Sequence, residues 1–202
     1  MSEAANLNEL QRDVLREVGN IGAGHSATAL SQLLDARVDL SQPALEIIKF
    51  SDLPKRLKYG TRAVAALHMG VKGKAPADII VLFDREQAAA FVDGFIRRLV
   101  GDIRMFDSIK DSTLMELGNI IAGAYVTAII DLTGVDLVLS VPTLAYGTID
   151  GALRKLMNNE AAQDVFMIEN SFLMNNDKQV SGQFLLIPEK GSLEPFFSAF
   201  GV

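Results

Sequence analysis

Apolar residues recur in steps of three and four through the first part of the chain, at Leu7, Leu10, Val14, Val18 and Ile21, with no proline before Pro43. That spacing predicts one long helix over residues 7–34. Extended stretches follow at 38–40 and 45–50, then a loop from Pro54 to Gly60, β-like runs at 63–69 and 78–83, and a helix over 85–99. The second part predicts another long helix over 107–133, extended segments at 135–139 and 143–146, and a helix over 149–159. Strands at 164–172 and 180–187 flank the polar turn Asn175-Asn176-Asp177, and a short helix over 192–200 closes the chain. Strands in runs bounded by helices, rather than in strict alternation with them, predict an α+β fold: a largely antiparallel sheet packed against two long helices.

The order of elements repeats because the sequence does. Laying Asp13–Glu46 over Ser112–Ala145 at an offset of 99, without a gap, gives 14 identities in 34 positions. A duplication of this kind predicts two halves, about 7–101 and 106–202, related by a pseudo-twofold axis. The connection from Val100 to Phe106 lacks linker composition, so the halves are expected to form a single domain.

Within each long helix the duplicated polar residues are Asp13, Glu17 and Asn20 in the first copy and Ser112, Glu116 and Asn119 in the second. Steps of four and three keep all three on one face of a helix. Leu15, Val18 and Ile21, with Leu114, Leu117 and Ile120, lie off that stripe, which leaves the carboxylate and the amide to face solvent or a partner. Glycines surround them at Gly19, Gly22 and Gly24 and at Gly118 and Gly123, although glycine within a helix costs roughly 1 kcal/mol against alanine. Either a neighbouring helix packs closely there, or a foreign backbone approaches the pair unhindered by Cβ atoms.

Composition narrows the chemistry open to such a stripe. The net charge is -6 and basic residues occur only in short groups such as Lys55, Arg56 and Lys58, or Arg97 and Arg98, so no nucleic-acid partner is expected. Cysteine is absent, which excludes disulfides, thiolate metal sites and cysteine nucleophiles. Neither His25 nor His68 has metal-ligand spacing to nearby carboxylates, so the chain itself is expected to hold no metal and no cofactor. The longest apolar stretch, Leu117–Ile130, is broken by Asn119, Gly123 and Thr127 and falls short of the roughly 20 residues that span a bilayer. With an N-terminus unlike a secretory signal, the expectation is a cytoplasmic protein without membrane insertion. A carboxylate and an amide without metal or nucleophile can still position reactants. An amide can hold a water in line with a phosphorus atom, and a carboxylate can pair with a lysine beside the phosphate.

The pattern Asp/Ser-x-x-x-Glu-x-x-Asn, with a proline 23 residues after the asparagine, resembles that of the CheC, CheX and FliY phosphatases of chemotaxis. Asn20 is followed by Pro43 and Asn119 by Pro142. Glu17-Val-Gly-Asn-Ile-Gly-Ala-Gly24 and Glu116-Leu-Gly-Asn-Ile-Ile-Ala-Gly123 look especially like CheC. The resemblance implies that the substrate is the phosphoaspartate of a CheY-type response regulator. It further implies that Asn20 and Asn119 orient the attacking water, that Glu17 and Glu116 contact the regulator's lysine, and that Mg²⁺ sits on the regulator. It implies a second partner, the deamidase CheD, with the inserted segment 149–159 as the place to look. The competing reading is a non-catalytic adaptor that sequesters CheD or docks on the flagellar switch. Ile121 stands where the first copy has Gly22, a departure expected to affect how closely a partner approaches the second site.

Overall fold

The computed structural model describes residues 7–35, 37–40, 44–57, 59–100, 107–157, 164–174 and 178–202. Helix α1 (Glu9–Leu34) starts at a reciprocal cap: the Asn8 side chain accepts from the Gln11 N–H at 2.9 Å, and the Gln11 side chain accepts from the Asn8 N–H at 3.1 Å. Two of the orphan donors of the first turn are thereby satisfied. It ends at Asp35, whose left-handed backbone (φ 45°) turns its N–H back onto the last carbonyls. Strands β1 (Val38–Leu40) and β2 (Ala44–Lys49), the short helix α2 (Leu53–Arg56), strands β3 (Val64–Gly73) and β4 (Ala77–Asp84), and helix α3 (Arg85–Val100) complete the first half. The second half runs through α4 (Asp107–Thr133), β5 (Leu137–Leu139), β6 (Thr143–Gly147), α5 (Ile149–Leu156), β7 (Asp164–Met174), β8 (Lys178–Pro188) and α6 (Leu193–Ala199).

One expected loop is partly helical. Pro54 occupies the first turn of α2, where its missing N–H leaves no hydrogen bond unmade, and the neighbouring Leu53 is fully buried and anchors the turn. The hairpin turn Asn175-Asn176-Asp177 lies outside the described residues, but β7 and β8 pair antiparallel up to Met174 opposite Lys178. The fold is α+β, with an antiparallel sheet, as its patterning predicts.

The eight strands form one sheet in the order β1-β7-β8-β4-β3-β5, with β2 also on β7 and β6 also on β3. Each half therefore lends its first two strands to the other. β1 and β2 pair with β7, while β5 and β6 pair with β3. At the centre β4 meets β8, with Val81 opposite Phe184.

Alternation along β3 sends Ala65, Leu67, Met69 and Val71 to a core beneath α1, α3, α4 and α6. It sends Val64 and Ala66 to a second core beneath α2 and α5. The glycines of the long helices fit this layering. A Cβ on Gly118 would approach the Leu67 side chain to 2.9 Å, and one on Gly19 would touch Ile168 at 3.4 Å, so both glycines let a helix lie close on the sheet.

α1 and α4 cross antiparallel, because Gly22 faces Tyr125 while Ser26 faces Ile121. A Cβ on Gly22 would stand 2.3 Å from the Tyr125 ring, and the Ser26 hydroxyl donates to the Gly22 carbonyl at 2.8 Å and to the Ile121 carbonyl at 3.3 Å. At the offset of 99 these two contacts are equivalents: at both a small residue of the first half meets a large residue of the second. The Tyr125 ring in turn stacks on Phe184, centroid to centroid at 3.9 Å. Ile121 is 2% exposed, so its replacement of the glycine bears on helix packing and not on how a partner approaches the second site.

The apolarity of α4 also corrects an expectation from sequence. Ile109–Thr133 is long and apolar enough, by length and composition, to cross a membrane, beyond the shorter stretch that the polar interruptions delimit. Half of its apolar 18-residue stretch is buried inside the protein, against α1, α3 and the sheet, and that burial accounts for its composition.

Candidate active site

A helix advances 100° per residue, so Asp13, Glu17, Asn20 and Gly24 fall within about 60° of one another around α1, as do Ser112, Glu116, Asn119 and Gly123 around α4. The core lies elsewhere on each helix. Leu15 and Val18, with Leu114 and Leu117, are at most 4% exposed, whereas Glu17, Asn20 and Glu116 are exposed and Asn119 is half-buried. The packing of apolar residues against the sheet thus orients the polar stripe outward without any direct contact to it. Ile21 and Ile120 sit half-buried at its edge.

Among the described residues, none of these four carboxylates and amides makes a hydrogen bond or ion pair. Their neighbours do: Asp13 pairs with Arg16, and Thr28 donates to the Gly24 carbonyl at 3.0 Å. Two glutamates and two asparagines therefore stand on rigid helix with their hydrogen-bonding capacity uncommitted, apart from water.

The glycines divide between the two explanations open to them. Gly19, Gly22 and Gly118 are packing positions, but a Cβ on Gly24 or Gly123 would meet nothing within 4 Å. These two lie one turn beyond each asparagine, facing open space, where they flatten the surface that a partner would meet. Pro142 is half-buried in the connection between β5 and β6, while Pro43 lies outside the described residues. Ser112 is exposed at the head of the second stripe.

Because the helices cross at the level of Gly24 and Gly123, Asn20 and Asn119 lie about 6 Å from the crossing along their own helices, in opposite directions. Their surroundings differ. Beside the second stripe Tyr146 donates to Asp111 at 2.6 Å with the Arg85 guanidinium 5.0 Å from its ring, and Lys110 pairs with Asp93 at 2.8 Å. The first stripe has the Arg16–Asp13 pair instead. No three histidine or acidic side chains converge as a metal site among the described residues; His68 hydrogen-bonds Asp78 at 2.6 Å on the sheet, and His25 is exposed.

Periodicity alone misplaced one residue of this surface. Leu10 counts as core by its spacing, yet it is 56% exposed and continues the polar stripe toward the N-terminus.

Comparison with known proteins follows the same duplication. The CheC-like family pattern matches residues 10–47 and 109–146, which run from the start of α1 into β2 and from near the start of α4 into β6. The CheY-P phosphatase CheC of Bacillus subtilis is 32% identical over all of this chain and 99% of its own length. Among solved structures, FliY of Thermotoga maritima aligns with a TM-score of 0.76 at 18% identity, covering 97% of this chain and 98% of that one. CheX in the CheX–CheY–BeF3–Mg²⁺ complex of Borrelia burgdorferi aligns with a TM-score of 0.51 at 19% identity, covering 83% of this chain and 96% of that one. A relative similar from end to end, and a family pattern that falls on both motif helices, establish that the chain belongs to the CheC-like family.

Proposed function

We propose that the chain is a phosphatase that hydrolyses the aspartyl phosphate of a CheY-type response regulator, with one active pair on each long helix. The observation that carries this reading is the duplicated, outward-facing and uncommitted pair, Glu17 with Asn20 and Glu116 with Asn119, in a chain similar throughout to a named CheY-P phosphatase.

The chemistry asked of these residues is positioning. Water attacks phosphorus in line as the bond from phosphorus to the aspartyl carboxylate oxygen breaks; inorganic phosphate leaves and the regulator's carboxylate is restored. Asn20 or Asn119 holds that water, its carboxamide oxygen accepting an O–H so that a lone pair points at phosphorus. Glu17 or Glu116 forms a charge-assisted hydrogen bond with a lysine beside the phosphate and fixes the docked geometry. The open surface at Gly24 and Gly123 admits the regulator's backbone close to the amide. Mg²⁺ belongs to the regulator, in keeping with the metal and beryllofluoride in the CheX–CheY complex.

Phosphate release from phosphorylated regulator, with the chain far below stoichiometric amounts, tests the assignment. Asn20→Ala combined with Asn119→Ala is expected to remove the acceleration, while each single variant retains the turnover of the other copy. Loss of an orienting group of this kind costs about 10²-fold or more in rate. Undiminished turnover in the folded double variant would move the chemistry elsewhere.

A further inference from the structure

Leu10 is 56% exposed and Ile109 39% exposed, and neither belongs to either core. They are the same position of the repeat, 99 residues apart, and each stands seven residues before the glutamate of its helix. Seven residues bring a side chain back to within about 20° of its starting direction, so Leu10 and Ile109 extend the stripes of Glu17 and Glu116. The family match begins at these two residues.

One exposed leucine on a protein surface needs no explanation. Two aliphatic residues at one register of duplicated helices are another matter. The residues that follow them have diverged, Gln11 against Lys110, Arg12 against Asp111 and Asp13 against Ser112, while the aliphatic character is common to both copies. Neither core includes these side chains, so packing in a core does not account for that character. What remains common to the two positions is the stripe that they share with an uncommitted carboxylate and amide.

We infer that Leu10 and Ile109 are apolar docking contacts for the phosphorylated regulator, one in each site, an inference that rests on the proposed function. Leu10 lies about 15 Å from Asn20 along α1, well within the width of an ordinary protein interface, so a partner engaging the amide also reaches the leucine. The contact falls outside the acyl-phosphate pocket and touches no reacting atom. These are positioning residues: covering an aliphatic side chain at the head of the helix sets the register in which Glu and Asn enter the pocket. The regulator is expected to present an apolar patch at that distance from its phosphorylation site.

The test pairs binding with turnover. Leu10→Ser with Ile109→Ser is titrated against the beryllofluoride-loaded regulator and assayed on the phosphorylated one. Kd and KM are expected to rise about tenfold, with kcat at saturation and the thermal midpoint unchanged. The conservative exchange Leu10→Ile with Ile109→Leu is expected to keep the parental affinity. A serine pair that binds as tightly as the parent overturns the inference, and so does a conservative pair that loses as much as the serine pair. The proposed function fails by a different result, absence of accelerated phosphate release by the parent, and the affinity comparison remains readable because it requires no turnover.

Discussion

Tyr59, in the loop that follows α2, is 6% exposed and donates its hydroxyl to Gln183 of β8, whose amide donates to Glu169 of β7 at 3.3 Å. Arg62 lies 5.5 Å from its ring and pairs with Asp84 at 3.1 Å. Burial pushes the phenol up from its ordinary 10 to about 12, helped by the negative charge of Asp84. Below pH 10 the phenol is protonated whether the chain is folded or not. Between pH 10 and 12 only the unfolded chain releases the proton, so folding stability falls across that window, by about 3 kcal/mol in all. Denaturant unfolding at pH 9 and pH 12 should show this loss, and Tyr59→Phe should reduce it relative to the parent. At this scale the paired Glu and Asn were legible in the sequence, because a spacing of three fixes a shared helix face whatever the tertiary structure. Leu10 was not, since steps of three and four drift around a helix until an apolar residue leaves the core face. The role of Ile121 is illegible for a different reason: its neighbour, Ser26, lies on another helix.

Among the elements, α1 and α4 offer a test in which two like substitutions have opposite signs. Gly22→Ala drives a methyl into the Tyr125 ring, which is held by its stack on Phe184 and cannot simply withdraw. Overpacking of this kind costs about 1–3 kcal/mol, more than the gain in helix propensity returns. Gly24→Ala meets no neighbour and should stabilise α1 by about 0.5–1 kcal/mol. Thermal unfolding would separate the two. If the regulator approaches over Gly24, the second variant should also lose turnover at the first site while becoming more stable, a combination that packing alone does not produce. The extents of α1 and α4 were readable to within two residues because strongly periodic segments announce their own length. The pairing of β1 and β2 with β7 was not readable, since alternation fixes which face of a strand is buried and says nothing of the strand beside it.

For the whole molecule, the exchange of strands predicts what a cut between the halves would do. Residues 1–101 alone would leave β1 and β2 without β7, and residues 106–202 alone would leave β5 and β6 without β3. Each fragment is expected to lack cooperative unfolding by itself, and the two produced together should associate one to one and recover the cooperative transition. Sedimentation and thermal melts of the separate and mixed fragments check this. The crossing of α1 and α4 decides which pairings are permitted. Were the first half to pair with itself, Gly22 would face Ser26 at both contacts and leave voids; were the second to do so, Ile121 would collide with Tyr125 twice. With small residues at both first-half positions and large ones at both second-half positions, each half is fitted to its sister and not to its own twin.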